Sequence, residues 1–262
     1  MSNSAPNILD LFRLDGKTAL ITGAATGLGA AIATALSQAG ATVAVHGNRR
    51  PATETQDAIQ SAGGRAHAFQ ADLSSPTGAE QLFTEAKAAL GHVDILINAA
   101  GVNSGTPFFE ITEQEWQRII DIDLKSVFLA CQVFGKAMVD AGKGGSIVNI
   151  SSASSGPPLS KVFTYAVAKG GVNQITQFLA REFAPNNIRV NAILPGFFPA
   201  AQNRKLLTDE RVASIMTHTP MHRFGESCEL VGAVVYLCAP RAASFVTGSI
   251  LPVDGGFLAM TI

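Results

Sequence analysis

Short apolar runs alternate with helix-like segments along almost the whole chain, and this alternation limits the possible folds more than any other feature. The first run is Thr18–Thr22, an Ala-rich helical pattern follows over Leu28–Ala39, and Thr42–His46 begins the next unit. Strands that are apolar throughout are typical of a parallel sheet covered on both faces, and parallel neighbours need crossover connections, usually helices. The pattern therefore predicts an α/β fold, a three-layer, doubly wound parallel sheet of about seven strands with helices on both faces.

The remaining elements follow the same rhythm. Further strands are predicted at 65–71, 93–98, 146–150, 188–194 and 250–253, and further helices at 53–62, 77–90, 113–140, 165–184 and 230–239. No linker divides the chain, so residues 1–262 are predicted to form a single domain. Residues 197–227, which we call the lid segment, are predicted to be irregular. Long interruptions inside compact domains are usually functional, so this segment is expected to cover a site.

Charge and cysteine content exclude several classes of function. Nineteen Lys and Arg against 20 Asp and Glu give a net charge of −1, so binding to nucleic acid through phosphate neutralisation is not expected. Cys131, Cys228 and Cys238 form no close pair, which argues against a disulfide framework and a zinc ribbon, and no metal site is predicted. Without a secretory leader or a long apolar stretch, a cytoplasmic protein with no membrane partner is expected.

A glycine-rich turn, Thr22–Gly29, links the first strand to the first helix. Backbone N–H groups and the helix dipole at such a junction bind a pyrophosphate. Gly23 would allow the tight turn, Gly27 would let the phosphate approach the backbone, and Gly29 would let helix and strand pack closely. Thr26 and Leu28 of the same turn are also candidate cofactor contacts. The alternative is a glycine-rich turn without a ligand.

This turn and several later motifs stand in one recognisable order. The later motifs are Asp72-Leu73 at the end of the third strand, Asn98-Ala99-Ala100-Gly101 at the end of the fourth, Ser151-Ser152 at the end of the fifth, Tyr165 and Lys169 in the next helix, and Pro195-Gly196 at the end of the sixth strand. Together they resemble the short-chain dehydrogenase/reductase family from Gly16 to the C-terminus. The resemblance implies a Rossmann fold, a nicotinamide cofactor, a small-molecule substrate and assembly into a homotetramer.

Tyr165, Lys169 and Ser152 are the candidate catalytic residues. Tyr165 and Lys169 lie four residues apart, on one face of the predicted helix. A tyrosine pKa near ~10 is too high for efficient acid–base work near neutrality, and a neighbouring ammonium is expected to lower it. The resemblance implies that Tyr165 exchanges the proton, that Lys169 also holds the nicotinamide ribose, and that Ser152 orients the carbonyl. The alternative is a tyrosine and a lysine on a solvated helix face.

Two positions depart from the family pattern. Asp123 stands where the family usually has an asparagine, whose backbone holds a local kink and helps to keep a water beside the lysine. The carboxylate could pair with Lys169 or face solvent, and Asp123 stays a candidate catalytic residue. Ala200 stands where a threonine often contacts the carboxamide, so backbone groups near Phe197 and Phe198 would have to replace that contact.

The end of the second strand bears on the choice of nicotinamide nucleotide. An acidic residue there would accept hydrogen bonds from the ribose 2′-hydroxyl, but Gly47 occupies the position, and Asn48, Arg49 and Arg50 follow. Arginine suits phosphate oxygens, so NADP is favoured over NAD. NAD would bind equally well if the arginines were only solvated loop charges. Several other residues are expected to contact the cofactor: Asp72 and Leu73 at the adenine, Asn98 at the ribose, and Ala99, Gly101, Pro195, Gly196 and Phe198 elsewhere.

The substrate is expected to lie between Ser154, Asn103, Phe197 and the lid segment. Polar residues dominate this segment, and Arg204 is the candidate for binding a carboxylate. The segment and the chain's ending resemble the sugar-acid branch of the family, such as D-mannonate (fructuronate) oxidoreductases and gluconate 5-dehydrogenases. A hexonate or polyol substrate is therefore predicted. The alternatives are a reductase of 3-oxoacyl thioesters or general ketones, and a non-catalytic nucleotide-binding module.

Overall fold

A seven-stranded parallel sheet organises the computed structural model, which describes residues 7–157, 159–199 and 207–260. Its strands are β1 (Thr18–Thr22), β2 (Thr42–Gly47), β3 (Arg65–Gln70), β4 (Ile95–Asn98), β5 (Gly145–Ile150), β6 (Ile188–Pro195) and β7 (Ile250–Val253). They lie in the order β3-β2-β1-β4-β5-β6-β7. The winding therefore reverses between the adjacent strands β1 and β4, which leaves a crevice at their carboxyl ends. The predicted fold class is confirmed.

Helices cover both faces of this sheet. They are α1 (Gly27–Gln38), α2 (Thr53–Ser61), α3 (Pro76–Leu90), α4 (Glu113–Ile120), α5 (Ser126–Ala141), α6 (Phe163–Phe183), α7 (Asp209–His218) and α8 (Ser227–Cys238). Ala19 and Ile21 of β1 pack with α1 and α8, whereas Leu20 between them packs with α3, α5 and α6. Successive side chains of a strand point to opposite faces, so a strand buried on both faces must be apolar throughout. None of the described helices is both long and apolar enough to cross a membrane.

The helix predicted at 113–140 has an interruption. Its two parts, α4 and α5, are joined by a π-helical turn over Asp121–Lys125. A π turn inserts an extra residue into the helical register and is frequent at functional sites. Asp123 lies within this turn and is completely buried, so the local kink expected near this position is present.

The lid segment contains a helix, so the prediction that it is irregular was wrong. Helix α7 begins after Thr208, whose hydroxyl accepts a hydrogen bond from the Arg211 backbone N–H at 3.4 Å. Only Ile215 of α7 is buried. A helix with so little apolar surface facing the core shows only a weak periodic pattern in its sequence, which explains why it was missed.

Candidate active site

A cleft of about 810 Å³ opens at the carboxyl ends of the strands, where the winding reverses. It has the size and position at which α/β sheets usually bind ligands. Most of the residues that the sequence singled out line it: Gly23, Thr26, Gly27, Leu28, Gly29, Asn48, Arg49, Ala99, Gly101, Asn103, Ser152, Ser154, Tyr165, Lys169, Pro195, Gly196, Phe197 and Phe198.

Close packing around the glycine-rich turn explains two of its glycines. Gly23 has φ +67°, and a Cβ there would lie 2.6 Å from the Cα of Ala100. A Cβ at Gly29 would lie 2.3 Å from the carbonyl oxygen of Gly23. The Thr22 hydroxyl adds a tether, because it accepts hydrogen bonds from the N–H groups of Ala99 and Ala100 at 3.0 and 3.2 Å. The loops after β1 and β4 therefore form one tightly held floor of the cleft.

Gly27 differs from its neighbours because the space beside it is open. Its φ is +59°, and apart from the adjacent backbone of its own helix no described atom lies within 4 Å of the position that a Cβ would take. Gly27 is also the first residue of α1, where N–H groups lack partners within the helix and the helix dipole is positive. This combination of open space and N–H donors suits the pyrophosphate of a dinucleotide.

The end of β2 cannot hold the acidic residue that would select NAD. A Cβ at Gly47 would lie 2.0 Å from the carbonyl oxygen of Arg50, so the fold of this loop requires glycine. Asn48 and Arg49 follow it along the cleft, and Arg49 is exposed. Within the described part of the chain, Arg49 has no carboxylate within 4 Å. The local charge is therefore suited to a 2′-phosphate.

Three predicted cofactor residues have side chains that do not line this cleft. Asp72 is exposed and accepts a hydrogen bond from Asn48 at 3.3 Å, while hydrogen bonds from Ser74 lower the pKa of its carboxyl group. Leu73 is buried in the core against α3. The Asn98 amide donates to the Asn149 side chain at 2.8 Å inside the sheet. The prediction that Asn98 contacts the ribose is not supported for its side chain, because the strand geometry directs it toward Cys131 on α5.

The side chain of Lys169 extends from α6 to the end of β5, beside Tyr165. Its ammonium donates to the Ile150 carbonyl oxygen at 3.0 Å and lies 5.4 Å from the centroid of the Tyr165 ring. One turn of helix separates the two residues, so α6 presents both to the cleft, as their spacing predicted. Ser151 reinforces this contact, because its hydroxyl donates to the Lys169 carbonyl oxygen at 3.1 Å.

Opposing effects act on the pKa of Tyr165. Removing the hydroxyl from water raises this pKa above its ordinary 10, and the Asp123 carboxylate raises it further. The Lys169 ammonium and a hydrogen bond with Ser152 act in the opposite direction but are outweighed. Lys169 therefore lowers the pKa as expected, but its effect is smaller than that of desolvation, which the sequence does not report.

Asp123 lies behind Lys169. Its Oδ1 accepts the backbone N–H of Val102 at 2.8 Å, and its Oδ2 lies 3.6 Å from the Lys169 ammonium. Of the two orientations left open by the sequence, pairing with Lys169 is the one observed. Burial raises the pKa of this carboxyl from 3.8 to about 6, although Lys169 and Val102 both lower it. Gly101 makes room for the pair, since a Cβ there would lie 2.9 Å from Oδ2.

The predicted substrate residues occupy the part of the cleft nearest Ser152. Ser154 is buried, and both its backbone N–H and its hydroxyl donate to the Ser152 hydroxyl oxygen, at 3.1 and 3.0 Å. Asn103 lines the cleft, and Phe197 also packs edge-on against Phe257 at 5.2 Å between ring centroids. Arg204 and Ala200 lie outside the described residues.

Several lining residues were not singled out from the sequence. They are His46, Arg118, Ile122, Leu159, Val162, Leu207, Arg211 and Phe224, among others. Arg118 and Ile122 are four residues apart and therefore share one helix face, but neither stands at a same-face spacing from Asp123, so the sequence offered no direct signal for them. Arg211 belongs to the lid segment, but no local motif distinguishes it from the other polar residues there.

The described residues do not form a metal-binding cluster, and two of the three cysteines are poorly suited to act as nucleophiles. Among the described residues, no group of three or more His, Cys, Asp or Glu is arranged to hold a metal ion. All three cysteines are unpaired, and Cys228 is exposed. Burial raises the pKa of the Cys131 and Cys238 thiols to about 12. Since the thiolate is the reactive form, these two side chains act as small core residues.

The comparisons with known proteins agree with the geometry. A family model described as "Enoyl-(Acyl carrier protein) reductase" matches residues 23–258. The chain is 38% identical to the 2-dehydro-3-deoxy-D-gluconate 5-dehydrogenase of Escherichia coli (strain K12), over 96% of this chain and 99% of the relative. It is 35% identical to the 5-keto-D-gluconate 5-reductase of the same strain, over 95% of this chain and 98% of the relative.

A solved structure with bound nucleotide is also similar. It is the gluconate 5-dehydrogenase of Burkholderia cenocepacia J2315 in complex with NADP and tartrate, with a TM-score of 0.90 and 30% identity. The match covers 97% of this chain and 100% of that one. The chain belongs to the short-chain dehydrogenase/reductase family, whose members are NAD(P)-dependent oxidoreductases acting on CH–OH groups.

Proposed function

We propose that this protein is an NADP-dependent oxidoreductase that transfers hydride between nicotinamide C4 and a CH–OH carbon of a sugar acid, most simply a hexonate. The observation that carries the proposal is the meeting of Ser152, Tyr165 and Lys169 in one cleft with the glycine-rich turn. The relatives named for ketogluconates support the substrate class.

Each of the three side chains has a distinct task at the reacting carbon. When bound, the nicotinamide nucleotide supplies or accepts the hydride. The Ser152 hydroxyl holds the substrate oxygen by a hydrogen bond. Tyr165 is protonated near neutral pH, so it donates its proton to a carbonyl oxygen during reduction and must lose that proton before it can oxidise an alcohol. The ammonium of Lys169 stabilises the tyrosinate and holds the nicotinamide ribose.

Asp123 acts through Lys169. It holds the ammonium from the side away from the cleft and fixes the backbone after β4 through Val102. It differs from an asparagine in this position because it adds a charge. That charge stabilises the ammonium and opposes formation of the tyrosinate. Asp123 is therefore a positioning residue, and its charge sets the pH range over which Tyr165 works.

NADP is the expected nucleotide for two reasons. Gly47 leaves no room for an acidic side chain, and Asn48 and Arg49 offer donors and positive charge to a 2′-phosphate. The similar structure from Burkholderia cenocepacia holds NADP. The pyrophosphate lies at Gly27 and the N-terminus of α1, and the loops at Ala99 and Pro195–Gly196 border the rest of the nucleotide.

A single domain over 1–262 performs both binding and catalysis, and the lid segment, 197–227, covers the substrate. The ends of this segment are tied together, because the Gly225 N–H donates to the Phe197 carbonyl oxygen at 3.0 Å. Leu207, Arg211 and Phe224 bring the segment into the wall of the cleft.

The protein works as a cytoplasmic homotetramer. Phe163, Val167 and Phe178 leave an exposed apolar stripe along α6, and Phe128 adds to it from α5. Exposed stripes of this kind mark subunit contacts, and closed symmetric assemblies are the common outcome. The unpaired cysteines agree with a reducing compartment.

An absorbance assay at about 340 nm tests the proposal through the nicotinamide chromophore. Purified protein is supplied with NADP⁺ or NAD⁺ and D-gluconate, D-mannonate or polyols, and with NADPH or NADH and 5-keto-D-gluconate, simple ketones or an acetoacetyl thioester. We expect turnover of a hexonate or ketohexonate, with NADP(H) preferred. The Tyr165→Phe variant should retain nucleotide binding and lose ~10²- to 10⁴-fold in kcat.

The same assay tests the second candidate, reduction of 3-oxoacyl thioesters. The description of the matching family model names a different reaction on an acyl thioester, reduction of the enoyl C=C bond. Turnover confined to the thioester or to simple ketones would contradict the sugar-acid proposal. Nucleotide binding without turnover of any substrate would leave a non-catalytic binding module.

A further inference from the structure

Arg211 reaches the catalytic cleft from the first turn of α7. Its side chain is half-buried and lines the same cleft as Ser152 and Tyr165. One end of the guanidinium is anchored, because Nη1 donates to the carbonyl oxygen of Ser160 at 3.1 Å and to its hydroxyl oxygen at 3.4 Å. Among the described residues, none accepts a hydrogen bond from Nε or Nη2 of Arg211.

The charge of Arg211 is not neutralised by a neighbouring side chain. Within residues 7–157, 159–199 and 207–260, no carboxylate lies within 4 Å of it. Burial lowers the pKa of this guanidinium, because its charge is partly removed from water. An arginine nevertheless stays protonated in proteins, so an anion in the cleft would offset the free-energy cost of removing this charge from water.

Among the described residues, the other cations near the cleft are paired with a carboxylate, lie at another part of the cleft, or are more exposed than Arg211. Arg50 pairs with Glu54 at 2.8 Å, and Arg223 donates to Glu229 at 2.7 Å. Arg49 lies at the ribose end. Arg118 lines the cleft but is exposed, and its charge acts on the Asp123 carboxyl group.

We infer that Arg211 binds the carboxylate of the substrate through its Nε and Nη2 atoms and thereby selects sugar acids over neutral polyols. A planar guanidinium edge matches the two oxygens of a carboxylate, and the Ser160 contacts hold it in a fixed orientation. This inference rests on the proposed function and deepens it. It gives to a residue of α7 the role that the sequence suggested for Arg204.

Matched substrate pairs isolate the carboxylate. D-Sorbitol is D-gluconate with the carboxylate replaced by CH₂OH, and D-mannitol relates to D-mannonate in the same way. The measured quantity is the ratio of kcat/KM for acid to polyol with NADP⁺. In Arg211→Gln this ratio should fall at least ~10-fold, mainly through KM for the acid, because a charge-assisted contact is lost. The ratio for Arg211→Lys should lie between those of the native protein and Arg211→Gln, since lysine keeps the charge but loses the bidentate geometry.

Two variants serve as controls. Arg223→Gln removes a cation of the lid segment that does not line the cleft, and it should leave the ratio unchanged. Arg118→Gln removes the other cation near the substrate end. NADPH fluorescence on binding shows that each variant is folded.

The outcomes separate the inference from the proposed function. An unchanged ratio in folded Arg211→Gln, or a fall in Arg118→Gln alone, would overturn the inference while native turnover of the hexonate upheld the function. A native protein that turned over neither hexonate nor ketohexonate would overturn both.

Discussion

Replacing Asp123 by asparagine tests whether a buried carboxylate lies behind the catalytic lysine. Asp123 has no exposed surface, and its contacts are the Val102 N–H and the Lys169 ammonium. Burial raises the pKa of its carboxyl from 3.8 to about 6, because the loss of hydration destabilises the carboxylate more than these two contacts stabilise it. Above this pKa the native protein therefore holds a carboxylate that destabilises the fold relative to its neutral form.

The sign and size of the effect follow from the two pKa values. A carboxyl with a higher pKa in the folded than in the unfolded chain binds its proton more tightly when folded, so the free energy of unfolding falls as the pH rises between them. A shift from 3.8 to about 6 corresponds to about 3 kcal/mol well above both values. Asparagine carries no such proton. The free energy of unfolding of Asp123→Asn, measured relative to that of the native protein, should therefore rise by about 2 kcal/mol from about pH 4.5 to about pH 7.5.

Urea unfolding followed by circular dichroism at these two pH values measures the difference. Both proteins are compared at one protein concentration, because assembly stabilises the folded state by mass action. Asp121→Asn is the matched control, since Asp121 lies in the same π turn but pairs with Lys125 near the surface. A difference between native protein and Asp123→Asn that does not change with pH would refute the reasoning.

The same variant has a second readout in catalysis. The Asp123 carboxylate raises the pKa of Tyr165, so its removal should lower that pKa. The rise of kcat/KM with pH during alcohol oxidation should move to lower pH in Asp123→Asn and stay in place in Asp121→Asn. A merely structural role for Asp123 would change the height of this profile without moving it.

Three further changes test other parts of the site. Arg49→Gln should raise KM for NADP⁺ by ~10-fold or more and change KM for NAD⁺ little, because only NADP⁺ carries the 2′-phosphate; equal effects in initial-rate assays would contradict this. Gly23→Ala should lower Tm by several degrees in a thermal melt, because the new Cβ would lie 2.6 Å from the Ala100 Cα and because the backbone there has φ +67°. An unchanged Tm would show that the two loops can move apart at little cost in free energy. Phe178→Asp should reduce the mass found by light scattering, whereas Phe245→Asp, which changes an exposed residue outside α5 and α6, should not.

The fold class and the order of the motifs at the strand ends could be predicted, because each depends on residues that are close together in the sequence. An apolar run such as Thr18–Thr22 marks a strand buried on both faces, and Gly91 ends α3 with φ +75° as a helix stop should. Tyr165 and Lys169 are one helical turn apart, so their common face follows from the period of the helix alone. Chemistry that depends on spacing within one element is therefore visible in the sequence.

Contacts between distant segments could not be predicted in this way. Asn98 ends β4 and begins the family motif, but its amide is held by Asn149 inside the sheet. Helix α7 has only one buried apolar residue, so neither the helix nor the direction of Arg211 into the cleft has a local signature.

By itself, the sequence determined the parallel sheet, the glycine-rich turn, the candidate catalytic residues and the lack of an acidic residue at position 47. Only the tertiary structure decided that Asp123 pairs with Lys169, that the pKa of Tyr165 rises rather than falls, and that Arg211 lines the cleft. The physical reason is that periodicity and spacing are properties of neighbouring residues. Hydration and electrostatic fields instead sum over every group that the fold brings near, however far apart those groups are in the chain.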